Sequence, residues 1–122
     1  MAKTILIVDD SASLRQVVSI ALKSAGYETV EACDGQDGLA KLSGRKVHLI
    51  ISDVNMPIMD GVTFVKEVKK SADHRFTPII MLTTEAGEEK KLQGQAAGAK
   101  AWVVKPFQPA QMLAAVSKLV LP

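Results

Sequence analysis

The stretch Leu49-Ile50-Ile51-Ser52-Asp53-Val54-Asn55-Met56-Pro57-Ile58-Met59-Asp60-Gly61 decides how this chain is read. It opens with a short, near-continuous apolar run, Leu49–Ser52, and breaks into an acid. A run of that length with no polar alternation is the pattern of a strand buried on both faces. The same pattern recurs at Thr4–Val8, Pro78–Leu82 and Ala101–Val104, whereas Glu28–Ala32 is more mixed and reads as an edge strand.

Helical patterns fill the intervals. Ser13–Ala25 sets Leu14, Val17, Val18, Ala21, Leu22 and Ala25 on one stripe and stops at Gly26. Gly35–Leu42 is a shorter helix ending near Gly44. Gly61–Lys70 turns Phe64, Val65 and Val68 inward, and Gly87–Ala97 is a charged helix interrupted by Gly94. Pro109–Val120 begins with a proline, which a first helical turn accepts. Strand and helix thus alternate five times, which predicts an α/β fold: a doubly wound parallel sheet with helices on both faces and right-handed crossovers.

In such sheets ligands bind beyond the carboxyl ends of the strands. Those positions hold Asp9 and Asp10 after the first run, Asp53 after the third, Thr83 and Thr84 after the fourth, and Lys105 after the fifth. They lie far apart in sequence, so only the topology can gather them. Three clustered carboxylates repel one another and call for raised pKa values or a cation. All-oxygen ligands favour a hard divalent ion, and Mg²⁺ suits a site that leaves it partly hydrated. A carboxylate left free to react can attack phosphorus. The product's oxygens then need an ammonium, a hydroxyl and backbone N–H groups. Taken singly, a strand-end Asp is an ordinary helix cap, and Asp10 could serve the first helix in that way.

Bulk properties narrow the class. The chain has 122 residues, fitting one domain over 1–122, and its hydrophobic share of 48% suffices for a core. Its 15 basic and 13 acidic residues are too balanced for a nucleic-acid binder. Cys33 stands alone, so no internal disulfide forms and a reducing compartment fits. The first apolar run is too short for a signal peptide or a membrane span. A cytoplasmic protein is expected.

These residues together resemble the response-regulator receiver family, along the whole chain. The resemblance rests on Ile5-Leu6-Ile7-Val8-Asp9-Asp10, the stretch Leu49–Gly61, Thr83 after Pro78-Ile79-Ile80-Met81-Leu82, and Lys105-Pro106-Phe107. It implies a flavodoxin-like sheet of order 2-1-3-4-5 with five helices. It implies that Asp53 takes a phosphoryl group from a histidine kinase. Asp10, Asp53 and the Asn55 carbonyl would bind Mg²⁺, with Asp9 assisting through water, while Thr83 and Lys105 would hold the phosphoryl oxygens. The Lys105–Pro106 bond would be cis. Gly61 would occupy a tight loop that disfavours a side chain. Trp102 would be the switch aromatic coupled to Thr83, where receivers usually carry tyrosine or phenylalanine.

The chain stops after its fifth helix, so the expectation is a stand-alone, chemotaxis-type receiver. It would meet a protein target, such as a flagellar motor switch, through helix 4, strand 5 and helix 5. Gly94 weakens the fourth helix by about 1 kcal/mol relative to Ala. In Ala110–Leu121 only Gln111, Ser117 and Lys118 are polar. A monomer is expected, with that last helix offering a face for weak dimerisation. Alternatives are a phosphorelay shuttle, a receiver excised from a longer regulator, and, as enzyme, an aspartate-nucleophile phosphatase. The last wants an acid two residues after Asp53, where Asn55 stands. A flavodoxin-like cofactor binder would want a phosphate-cradling loop where Asp9-Asp10 lies. Asn55 and Glu85 flank the expected path of attacking water and imply fast self-dephosphorylation. His48 and His74 read as surface or loop residues, Met56 and Met59 as packing residues, and Lys90-Lys91 as a solvated face.

Overall fold

A computed structural model describes residues 3–54, 56–83, 88–105 and 108–120. Five strands, β1 (Thr4–Val8), β2 (Glu28–Ala32), β3 (Leu49–Asp53), β4 (Ile79–Thr83) and β5 (Ala101–Val104), alternate with helices α1 (Ala12–Ser24), α2 (Gly35–Leu42), α3 (Gly61–Lys70), α4 (Glu88–Ala97) and α5 (Pro109–Leu119). All pairings are parallel and the order is β2-β1-β3-β4-β5, as expected. The mixed second strand is an edge.

Alternation along the strands splits the core in two. Leu6, Val8, Ile50, Ile79 and Met81 face Leu42 of α2 and Phe64, Val65 and Val68 of α3. Ile5, Ile7, Leu49, Ile51, Ile80 and Leu82 face Val18 and Leu22 of α1 and Met112 and Val116 of α5. Each fully buried aliphatic side chain contributes about 1.5–3 kcal/mol. The inner strands β1, β3 and β4 therefore anchor the rim that carries the polar residues.

Several boundaries differ from the sequence reading. β3 reaches Asp53 and β4 runs one residue later, from Ile79 to Thr83. Pro78 has no N–H for the ladder, but its carbonyl accepts from Ile50 N at 3.0 Å. α1 is capped by Ser11, whose Oγ accepts from Leu14 N at 3.2 Å, so Asp10 is not the cap. The α1 stripe is narrower than drawn. Val17 is 51% exposed and Ala25 lies past the helix end, while Ser19 is buried instead, its hydroxyl bonded to Thr29 Oγ1 at 2.7 Å. His74 is likewise a correction: it is buried, and its Nε2 meets the Leu42 carbonyl at the end of α2 at 3.0 Å. The start of α4 at Gly87, the side chains of Lys90 and Lys91, and the surroundings of Gly94 lie outside the described residues.

Candidate functional site

β1 ends by handing the chain to Asp9, whose backbone N–H still donates to Ala32 O at 3.1 Å. Asp9 is 1% exposed. Its Oδ1 accepts from Ser11 N at 2.8 Å and its Oδ2 lies 3.2 Å from Lys105 Nζ. Asp53, at the end of β3, is 5% exposed, with Oδ1 3.3 Å from the same ammonium. Asp10 is exposed, and it completes a group in which Asp9, Asp10 and Asp53 each offer an oxygen within 4.8 Å of the others. Thr83 is buried, and its carbonyl accepts from Lys105 N at 2.6 Å, which ties the ends of β4 and β5 together. The topology thus gathers Asp9, Asp10, Asp53, Thr83 and Lys105 at one rim.

Three carboxylates against one ammonium leave negative charge to balance. The donor set is all oxygen, so the residues fit a hard divalent ion such as Mg²⁺. The Asn55 carbonyl, Thr84, Glu85, the Lys105–Pro106 bond and Phe107 lie outside the described residues.

Two polar residues beside the rim escaped the sequence reading. Arg15 donates from a terminal guanidinium nitrogen to Asp9 O at 2.5 Å and from Nε to Glu31 Oε1 at 3.2 Å, clamping the β1 end to the edge strand. Ser11 orients Asp9 as well as capping α1. Ser11 followed by a helical stripe was a readable cap signal. The Arg15 contact depends on strand pairing and had no local signal. Cys33 is exposed on the β2–α2 loop; partial desolvation, then Asp34 and Asp37, push its thiol up. Clefts of about 540 Å³ and 400 Å³ open elsewhere, around Tyr27, Arg45 and Lys46 and around Asp73 and His74, with none of the rim residues in their walls.

The loop from Asp53 to α3 is tightly held. Gly61 N donates to Val54 O at 2.8 Å, and Asp60 caps α3 by accepting from Thr63 N at 2.8 Å. A Cβ on Gly61 would lie 2.3 Å from Asp53 O, so the expected intolerance of a side chain is borne out. Met56 and Met59 pack against the core, as expected. Between them Met59 N donates to Pro57 O at 2.7 Å, closing a one-residue turn on Ile58, whose φ is 70°. That positive-φ turn is a strained form, and strain of this class costs about 1–3 kcal/mol. Trp102 is half-buried against the α3-side core, and its Nε1 is buried with no acceptor among the described residues.

Residues 5–117 match the family model of the response regulator receiver domain. The chain belongs to that family. This receiver shares its fold with chemotaxis protein CheY4 of Vibrio cholerae, at 49% identity and a TM-score of 0.94, covering 98% of this chain and 99% of that one. It is also similar to the receiver domain of sensor histidine kinase PA1611 from Pseudomonas aeruginosa, at 25% identity, TM-score 0.90 and 98% coverage of both chains. That structure has a magnesium ion coordinated in its active-site cleft. Among curated proteins, the phosphate regulon transcriptional regulatory protein PhoB of Pseudomonas aeruginosa is 40% identical over 93% of this chain and 50% of its own length. The chain spans about half the length of the curated relatives it matches. It is a receiver domain of two-component signalling. No described helix is long and apolar enough to cross a membrane.

Proposed function

We propose that this receiver accepts a phosphoryl group on Asp53 from a histidine kinase and thereby switches binding of a protein target. The observation that carries this reading is a recessed Asp53 carboxylate already paired to Lys105 within a three-carboxylate rim. A carboxylate oxygen of Asp53 attacks phosphorus. The new O–P bond forms as the P–N bond of a phosphohistidine breaks, and the electron pair leaves on the imidazole nitrogen. Lys105 turns from Asp53 to the phosphoryl oxygens, and the Thr83 hydroxyl donates to another. Asp10, Asp53 and the Asn55 carbonyl would hold Mg²⁺, with Asp9 assisting; bound there, the ion neutralises charge on the phosphoryl oxygens.

The same reading makes this a signal carrier that promotes only its own phosphorylation and hydrolysis, the latter quickly, with Asn55 and Glu85 beside the water's path. As Thr83 is drawn to the phosphoryl group, Trp102 moves into the space beside it and alters the α4–β5–α5 face. Mass spectrometry after incubation with acetyl phosphate and Mg²⁺ tests it. Wild type gains one phosphoryl group and Asp53→Asn gains none; a folded, Mg²⁺-supplied wild type with no gain refutes it.

Likeness to CheY4 over nearly all of both chains favours a chemotaxis output in the cytoplasm, with a motor-switch protein as target and no nucleic-acid contact by this domain. PhoB, matched over half its length, favours a second reading: the receiver part of a transcription regulator. Phosphorylation-dependent binding to a flagellar motor-switch protein separates the two.

A further inference from the structure

We propose that Ile58 is an apolar docking knob for the phosphohistidine-bearing donor protein; the inference rests on Asp53 being the phospho-acceptor. Ile58 is the one non-glycine residue with positive φ among those described. A β-branched side chain is poorly suited to that conformation. The strain is not compensated by packing. Ile58 is 74% exposed and belongs to neither core cluster, whereas its neighbours Met56 and Met59 both pack inward. The loop is pinned on either side of it, by the two methionines and by the Gly61-to-Val54 hydrogen bond. The turn therefore holds one large apolar side chain out in water, five positions beyond Asp53.

A donor protein must meet whatever borders Asp53. The acceptor is only 5% exposed, so a phosphohistidine can reach it only if the donor's surface presses onto the surrounding loops. A side chain projecting from the loop that leaves Asp53 lies in that contact. The partner face it fits is apolar and beside the reactive histidine. A small phosphodonor, having no such face, has no use for Ile58.

The test compares two donors on the full chain with Mg²⁺: phosphoramidate, and a pre-phosphorylated histidine-phosphotransfer domain of a two-component kinase that labels the wild type. Ile58→Asn keeps a side chain tolerant of positive φ, and Ile58→Met keeps an apolar one. For Ile58→Asn we expect unchanged or higher thermal stability and phosphoramidate labelling within about twofold of wild type. Its transfer from the protein donor should fall roughly tenfold or more, the scale of one lost apolar burial. Ile58→Met should retain most of the transfer. Protein-donor transfer unchanged in Ile58→Asn overturns the inference. So does an equal loss with both donors, which would place Ile58 in the geometry of the site, or an equal protein-donor loss in both variants. Failure of phosphoramidate to label the wild type at Asp53 would instead refute the acceptor reading beneath it.

Discussion

Gly61→Ala isolates the contact that lets α3 start directly beneath Asp53. Gly61 is the first residue of α3 and does not have positive φ, so alanine suits its backbone and should gain about 1 kcal/mol in helix propensity. Space opposes it. The new Cβ would sit 2.3 Å from Asp53 O and 2.8 Å from Val54 Cα and Met81 Cε. Carbon and oxygen normally approach to about 3.3 Å, so strand end and helix start must part by roughly 1 Å. Met81 can yield; the two backbone atoms cannot. Parting them breaks the 2.8 Å Gly61-to-Val54 hydrogen bond and strains the 3.0 Å Val54-to-Leu82 bond. About 1 kcal/mol for each bond and about 1–3 for overpacking, less the propensity gain, leave a net loss of about 2–4 kcal/mol. For a chain of this size that lowers Tm by roughly 10 °C. The displaced Asp53 should also slow acetyl phosphate labelling by about tenfold or more. Gly35→Ala is the control. Its Cβ would meet Met59 Sδ at 2.8 Å, Cγ at 2.9 Å and Cβ at 3.0 Å, all side-chain atoms with no backbone atom or backbone hydrogen bond in the way, so the cost should be overpacking alone, about 1–2 kcal/mol. Urea unfolding of both variants decides the matter. If Gly61→Ala matches Gly35→Ala in midpoint and labels at the wild-type rate, the steric argument is wrong.

Trp102→Phe should unfold within about 1 kcal/mol of wild type, because losing a buried donor with no described acceptor offsets the smaller ring's lost burial; a loss near 3 kcal/mol in urea would contradict this. His48 supplies a pH prediction. Its Nδ1 accepts from Thr4 N at 3.0 Å, and burial, then the Lys3 and Lys46 charges, hold the imidazole below its usual range. The unfolded chain therefore binds the proton first: stability is constant above the free-histidine pKa of about 6.5 and falls as pH drops through it. His48→Gln should flatten the profile between about pH 7 and 5.5 relative to wild type; parallel profiles would rule out His48 as the source.

What the sequence made readable was whatever repeats or terminates a pattern. Strands buried on both faces show as apolar runs, and the alternation with helices placed all five strands to within a residue. The polar residues closing the inner runs and the fifth run then fell at one rim, which is why Asp9, Asp10, Asp53, Thr83 and Lys105 could be grouped before any geometry was known. Strand order and individual roles came from family resemblance. What stayed hidden depends on contacts between distant segments. His74 looked like a loop histidine because the carbonyl it meets, that of Leu42, lies 32 residues away. Val17 satisfied the helical period, yet the period fixes a stripe and not its width, and the sheet covers only the Val18 and Leu22 side. Ile58 carries no sign of its φ, since nothing in an Asn-Met-Pro-Ile-Met run asks for positive φ at isoleucine.

The charge at the rim explains why a hydroxyl should belong to the switch. Lys105 lies 3.2 Å from Asp9 and 3.3 Å from Asp53, so in this state one ammonium bridges two carboxylates while Asp10 faces solvent. A divalent cation added to three carboxylates and that ammonium brings the rim to formal neutrality. Phosphoryl transfer then replaces the single charge of Asp53 with close to two on the phosphate. The rim becomes net negative by about one, and among the described residues the nearby Arg15 is already held by Glu31 and the Asp9 carbonyl. The excess must be met by neutral donors, and Thr83 brings a hydroxyl to the rim, buried at the end of β4. Its backbone is bonded to Lys105 and its strand lies beside β5, which carries Trp102. On the proposed reaction, charge balance at Asp53 therefore becomes a pull on the β4–β5 edge, and the partner-binding face changes because the rim is short of positive charge.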